Sequence, residues 1–239
     1  CLMAFVIGLS AGSTVLIGQA WGGKNIEKVR CVVGSTLFMT LIGGSLIALF
    51  GVIFAENILL ALGTDPDVMH LSLPYVQWML VGSPLIFIYI VYTSILRGVG
   101  DSTTPLFASV ITIGVGLVVT PVLIGGYFGF PKMGIISPAL ATILGNLAVL
   151  VFLILYLKRK QHPLKLDWAL LKNIRHQPQL SKTILKLGVP TGVQMVTTSV
   201  AGLVIVGLVN RYGAEATAAY GAVNQVLNYI QFPALSIAI

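Results

Sequence analysis

Residues 158–186, KRKQHPLKLDWALLKNIRHQPQLSKTILK, decide how the chain is read. They carry eight of the fourteen Lys and Arg residues in a chain of 239. The stretch is the only long polar interruption, with five apolar runs before it and two after it. It reads as the joint between two membrane-embedded blocks, residues 1–157 and 187–239. Within it Leu164, Trp168, Leu171 and Ile174 recur at helical spacing, and Lys165, Lys172 and His176 fall on a neighbouring face. Two readings fit that pattern. One is a helix lying along the headgroups, with Trp at the boundary and cations toward anionic lipid. The other is a solvated loop containing one short helix.

Composition sets the class. Hydrophobic residues make up 56% of the chain and charged residues 9%, against roughly 25% charged in an ordinary soluble domain. The mean hydropathy of +0.96 agrees. The expected fold is all-α, a polytopic membrane protein built as a helical bundle. The net charge of +7 does not indicate nucleic acid, because the cations sit at the ends of apolar runs, where membrane orientation explains them. Cys1 and Cys31 flank opposite ends of the first run. A spanning helix holds such ends roughly 30 Å apart, so no disulfide is expected. The chain opens on Cys1 and closes on Ile239, both in apolar sequence, and reads as a fragment.

Seven runs have the length to cross the hydrocarbon core: about 1–20, 32–55, 73–96, 104–127, 134–157, 187–209 and 216–239. Consecutive spans cross in alternate directions. The connections after the first, third and fifth hold twelve cations, and the other three hold only Lys132 and Arg211. The cation bias therefore puts residues 21–31, 97–103 and 158–186 in the cytoplasm.

Glycine and proline mark the spans. Gly8 with Gly12, Gly18 with Gly22, and Gly188 with Gly192 lie four apart, a spacing that lets helix backbones approach. Pro84, Pro121 and Pro233 lie inside spans and free the carbonyls of Leu80, Leu117 and Tyr229 from their helical hydrogen bonds. In the loop Arg97–Pro105, Gly98 and Gly100 permit a tight turn, Asp101 or Ser102 caps the next helix, and Pro105 suits its first turn.

All seven acidic residues lie at span ends or in loops. A carboxylate inside a span is the usual proton or sodium handle, and none is present. No metal-ligand spacing or phosphate-binding glycine loop occurs, so an enzyme is not expected. Neutral polar residues do enter the spans. Tyr220, Asn224, Asn228 and Gln231 follow spacings of four, four and three, on one helical face. Gln194, Thr197 and Thr198 share a face, as do Thr142 with Asn146, and Thr112 and Gly116 with Thr120; the third span offers Tyr89, Tyr92 and Thr93. Isolated Thr and Ser are expected to hydrogen-bond between helices, at about 0.6 kcal/mol each. Three amides on one face exceed what packing needs, and a wet cavity would satisfy them.

Five segments in order are similar to the multidrug and toxic compound extrusion (MATE) family: GQAWGGKNIEKVR at 18–30, ILRGVGDSTTPL at 95–106, PKMGIISPALAT at 131–142, KLGVPTGVQM at 186–195 and NRYGAEATAAYGAVNQV at 210–226. The resemblance implies helices two to eight of twelve, most of one six-helix lobe with the first two helices of another. It implies an antiporter that exports drug-like molecules or organic cations in exchange for H+ or Na+. A flippase for a lipid-linked precursor is the alternative. Many members carry Asn and Asp where this chain has Gly116 and Thr120, and Glu where it has Thr198. The usual proton-coupling acids are therefore absent from these spans. The expected cavity residues are Gln194, Thr197, Thr198, Tyr220, Asn224, Asn228, Gln231, Asn146 and Thr120. No cofactor is expected beyond the coupling ion. The expected partners are membrane lipid and a small organic substrate, in a monomer in the plasma or inner membrane.

Overall fold

The structure, a computed structural model, describes residues 2–61, 66–126, 133–161, 164, 178–210 and 213–238. Seven α-helices run through them: α1 (Leu2–Gly22), α2 (Ile26–Ala61), α3 (Pro66–Gly98), α4 (Thr103–Gly125), α5 (Ser137–Arg159), α6 (Pro178–Asn210) and α7 (Ala214–Ala238). A 3-10 turn, Gly134–Ile136, leads into α5. No strand occurs among the described residues. Trp168, Leu171 and Ile174, with Lys165, Lys172 and His176, lie outside the described residues.

Six of these helices are long and apolar enough to cross a membrane; seven spans were expected. The exception is α7. Its 25 residues would reach roughly 37 Å, but Asn224, Gln225, Asn228 and Gln231 dilute its apolar content. Several helices outrun the expected spans: α2 has 36 residues, and α3 and α6 have 33 each. At α2 the extension begins where the Asn25 side-chain oxygen accepts the Lys28 N–H at 2.9 Å, satisfying a donor that a helix start leaves open. At its other end α2 runs on to Ala61, which draws Glu56, expected at a span end, inside the helix.

The chain divides into two compact units, Cys1–Gly192 and Val193–Ile239. In the first, α1 and α3 supply the centre. Val6, Leu9, Ile17, Val91, Tyr92, Ile95 and Leu96 are buried there with Val29, Val32 and Val33 of α2 and Val149, Leu153 and Leu157 of α5. Outward faces are apolar too, as on Leu49, Phe50 and Ile53 of α2 and Phe107, Val110 and Leu117 of α4. A soluble monomer rarely exposes so much apolar surface; against lipid it is the matching surface.

Glycine sets several of the closest contacts. A Cβ on Gly8 would lie 2.7 Å from the Gly188 carbonyl oxygen, one on Gly12 would strike the Ile184 carbonyl oxygen, and one on Gly192 would lie 3.3 Å from the Ala4 carbonyl oxygen. Residues 4, 8 and 12 thus face 192, 188 and 184, so α1 and the first turns of α6 run antiparallel, backbone against backbone, as the four-residue spacing led us to expect. The pair Gly18 and Gly22 behaves differently. A Cβ on Gly18 would lie 3.6 Å from the Gly98 carbonyl oxygen, while one on Gly22, the last residue of α1, would meet nothing within 4 Å.

The turn between α3 and α4 forms as its residues dictate. Gly100 has φ +85°, a conformation that side-chain-bearing residues avoid. Asp101 is the cap: one carboxylate oxygen accepts the Thr104 N–H at 3.0 Å and the Thr103 hydroxyl at 2.9 Å, and the other accepts the Thr104 hydroxyl at 2.6 Å. Ser102 makes no such bond. Arg97 donates to the Ser94 hydroxyl at 3.0 Å.

Candidate substrate and ion cavity

In the second unit, Tyr220 and Asn224 of α7 are half-buried, and Asn228 and Gln231 are exposed. Gln194, Thr197 and Thr198 of α6 are exposed as well. The Thr197 and Thr198 hydroxyls donate to the carbonyls of Val193 and Gln194, each at 2.9 Å. Their protons are committed to their own helix, so what they present outward is acceptor oxygen. The amides on α7 can both donate and accept. In the first unit Asn146 is 3% exposed. Its amide nitrogen donates to the Thr142 carbonyl at 2.7 Å, and its carbonyl oxygen is buried with no partner. Thr120 is half-buried on α4. Gly145 backs onto Thr112, with a built Cβ 3.5 Å from the Thr112 carbonyl oxygen. Thr120 lies eight residues further along α4, roughly 12 Å from that level. Thr120 and Asn146 therefore do not meet. Gly116 opens on empty space, with nothing within 4 Å of a built Cβ.

The hydroxyls expected to tie helices together mostly bond within their own helix. Thr93, Thr112 and Thr142 each donate to the carbonyl four residues earlier, as Thr197 and Thr198 do. Cross-helix bonds come from other residues. Ser13 and Thr36 share a hydrogen bond at 2.9 Å, Thr14 donates to the Ser94 carbonyl at 3.3 Å, and Tyr89 pairs with Ser109 at 3.3 Å. Tyr92 donates to the Leu164 carbonyl at 2.7 Å. The carbonyl that Pro84 frees on Leu80 is also satisfied locally, by the Ser83 hydroxyl at 2.7 Å. Among the described residues no cluster of three or more His, Cys, Asp and Glu could hold a metal ion. The candidate residues Gln194, Thr197, Thr198, Tyr220, Asn224, Asn228, Gln231, Asn146 and Thr120 carry only neutral hydroxyl and amide groups.

The MatE family model matches residues 1–122, more than half of the chain. The chain belongs to the MatE family. Among curated relatives, the "Probable multidrug resistance protein YoeA" of Bacillus subtilis is 41% identical over 238 residues, covering 100% of this chain and 51% of that protein. The "Multidrug export protein MepA" of Staphylococcus haemolyticus is 25% identical over 236 residues, covering 99% of this chain and 50% of that protein. The chain spans about half the length of the curated relatives it matches. An outward-facing multidrug resistance MATE transporter structure superposes with TM-score 0.83 at 22% identity, over 95% of this chain and 49% of that one. The MatE chain is thus a multi-pass integral membrane protein of a transport family.

Membership gives the neutral residues their interest. Thr120 and Thr198 cannot titrate near neutral pH. Glu56, one of the acids that fall within helices, is exposed and lies five residues from the end of α2. Sequence reading also passed over the buried hydroxyls of Ser10, Ser35, Ser137 and Ser181, which have no partner. A lone serine in an apolar run carries no periodic signal, so only packing could reveal them.

Proposed function

We propose that this MatE chain forms part of a secondary active exporter of drug-like molecules or organic cations, driven by exchange for H+ or Na+. The observation that carries the reading is the 41% identity, along the entire chain, to a protein named for probable multidrug resistance. The α7 stripe supports it. Asn224, Asn228 and Gln231 line a water-accessible path, and Tyr220 extends it. Gln194, Thr197 and Thr198 of α6 are the further candidates in that unit; Asn146 and Thr120 are separate candidates in the first unit. The protein sits in the plasma or inner membrane as a monomer, with its cation-rich ends in the cytoplasm. Neutral Thr at 120 and 198 leaves two routes for coupling. Sodium can be held by oxygen atoms, or protons can be carried by carboxylates outside these seven helices.

The test uses the intact gene product in liposomes, under an imposed pH gradient or sodium gradient, with efflux of a fluorescent organic cation as readout. Asn224→Leu, Asn228→Leu and Gln231→Leu are expected to impair efflux while leaving folded protein in the membrane. Normal export by all three variants would reduce the stripe to packing. Absence of efflux by the unaltered protein under both gradients would sink the exporter reading itself.

A further inference from the structure

A cavity of about 810 Å³ opens at the cation-rich end of the first unit, lined by Asn25, Glu27, Lys28 and Cys31 and by Gln179 and Thr183 of α6. Its volume is that of a small-molecule site, roughly 300–1,000 Å³, but it is an open groove whose polar lining residues are all exposed. None of the cavity residues discussed above lines it.

Its depth follows from the sequence. The apolar run of α2 begins at Cys31 and Val32, after Lys24, Lys28 and Arg30; the run of α6 begins near Leu187, after Lys182 and Lys186. The cavity therefore lies where helices leave hydrocarbon, at headgroup depth.

The lining sorts into donors and acceptors. Lys28 offers an ammonium. The Asn25 side-chain oxygen is already bound to the Lys28 N–H at 2.9 Å, so Asn25 has its NH₂ left to give. Glu27 offers a carboxylate. The Thr183 hydroxyl donates to the Gln179 carbonyl at 2.9 Å, so Thr183 presents acceptor lone pairs. One cationic group with an amide donor thus shares the cavity with one anionic group and a hydroxyl acceptor. Ser35 lies deeper than the cavity. It lies seven residues after Lys28 and four after Cys31, on their face of α2 one turn deeper. It is 1% exposed, and its hydroxyl has no hydrogen-bond partner. It does not line the cavity, so a headgroup there would rest on the lining groups alone.

We propose that this cavity seats the phosphoethanolamine headgroup of an aminophospholipid, its phosphate on Lys28 and Asn25 and its ammonium on Glu27 and Thr183. A purely anionic headgroup leaves Glu27 opposed to it. A choline headgroup has no N–H to donate to Glu27.

The experiment is native mass spectrometry of the purified protein released from vesicles of equimolar phosphatidylethanolamine, phosphatidylcholine and phosphatidylglycerol. The expected result is selective retention of phosphatidylethanolamine. Lys28→Ala lowers retention of that lipid roughly tenfold, as loss of a charged hydrogen bond implies. Glu27→Gln erases its preference over phosphatidylcholine. Lys182→Ala, an exposed cation of α6 outside the lining, changes neither. Thermal melts of each variant in phosphatidylcholine vesicles establish that it is folded. Equal retention of ethanolamine and choline lipids, preferential retention of phosphatidylglycerol, or an equal loss in Lys182→Ala would each overturn the proposal. Displacement of the bound lipid by free O-phosphoethanolamine would also overturn it, by assigning the cavity to a soluble amino phosphate.

Discussion

Replacing Gly188 by Ala tests the packing of α1 against α6 most directly. A Cβ at this position would strike the Gly8 carbonyl oxygen and lie 2.8 Å from the Gly8 carbonyl carbon. Both are backbone atoms of a helix and cannot swing aside as a side-chain tip does. Overpacking of this kind costs about 1–3 kcal/mol. The substitution also removes a helical glycine, which returns about 1 kcal/mol. The net expectation is destabilisation of about 0–2 kcal/mol, a fall of up to ~8 °C in Tm for a domain of this size. Gly207→Ala in the same helix is the internal control, since nothing lies within 4 Å of its Cβ. It keeps the propensity gain without the clash and should melt at or above the unaltered protein. The assay is fluorescence-detected thermal melting of both variants in one detergent. If Gly188→Ala melts as high as Gly207→Ala, the backbone contact does not exist as described, and the antiparallel pairing of α1 with the start of α6 falls with it.

Asp101→Ala removes three hydrogen bonds at the start of α4 and should cost about 0.5–2 kcal/mol by the same melt. Ser102→Ala should cost less, and the reverse order would contradict the cap assignment. Tyr92→Phe removes the hydrogen bond from the Tyr92 hydroxyl to the Leu164 carbonyl. It should destabilise by about 0.5–1.5 kcal/mol; an unchanged Tm would show that the bond contributes nothing to stability. For orientation, single cysteines at His70 and Lys160, both exposed, are placed in a cysteine-free background of the intact gene product. A membrane-impermeant thiol reagent applied outside should label position 70 and miss 160, and the opposite result would invert the topology.

Composition and periodicity determined the class of this protein without coordinates. A chain with 9% charged residues and long apolar runs can satisfy its backbone in lipid only as helices or a closed barrel. The run lengths and their Gly and Pro placement select helices. The glycines at 8, 12, 188 and 192 were legible because a four-residue spacing has one geometric meaning, and Gly100 because the turn needs its φ. The ordered MATE-like segments likewise foretold the family that the matches show. Helix ends were less legible, because an apolar run ends where lipid ends while a helix continues as long as caps and hydrogen bonds allow. That is how Glu56 came to lie within α2.

Partnership was decided only by the tertiary structure. Periodicity says which residues share a face but not which face meets it. Sequence could not pair Gly8 with Gly188, nor place Thr120 two turns away from the level of Asn146. It could not show that Thr197 and Thr198 spend their protons on their own helix, or that Ser35 lies buried and unpartnered on the face of α2 that Lys28 and Cys31 turn toward a cavity. Those facts depend on contacts between residues far apart in the chain, and a one-dimensional pattern does not contain them.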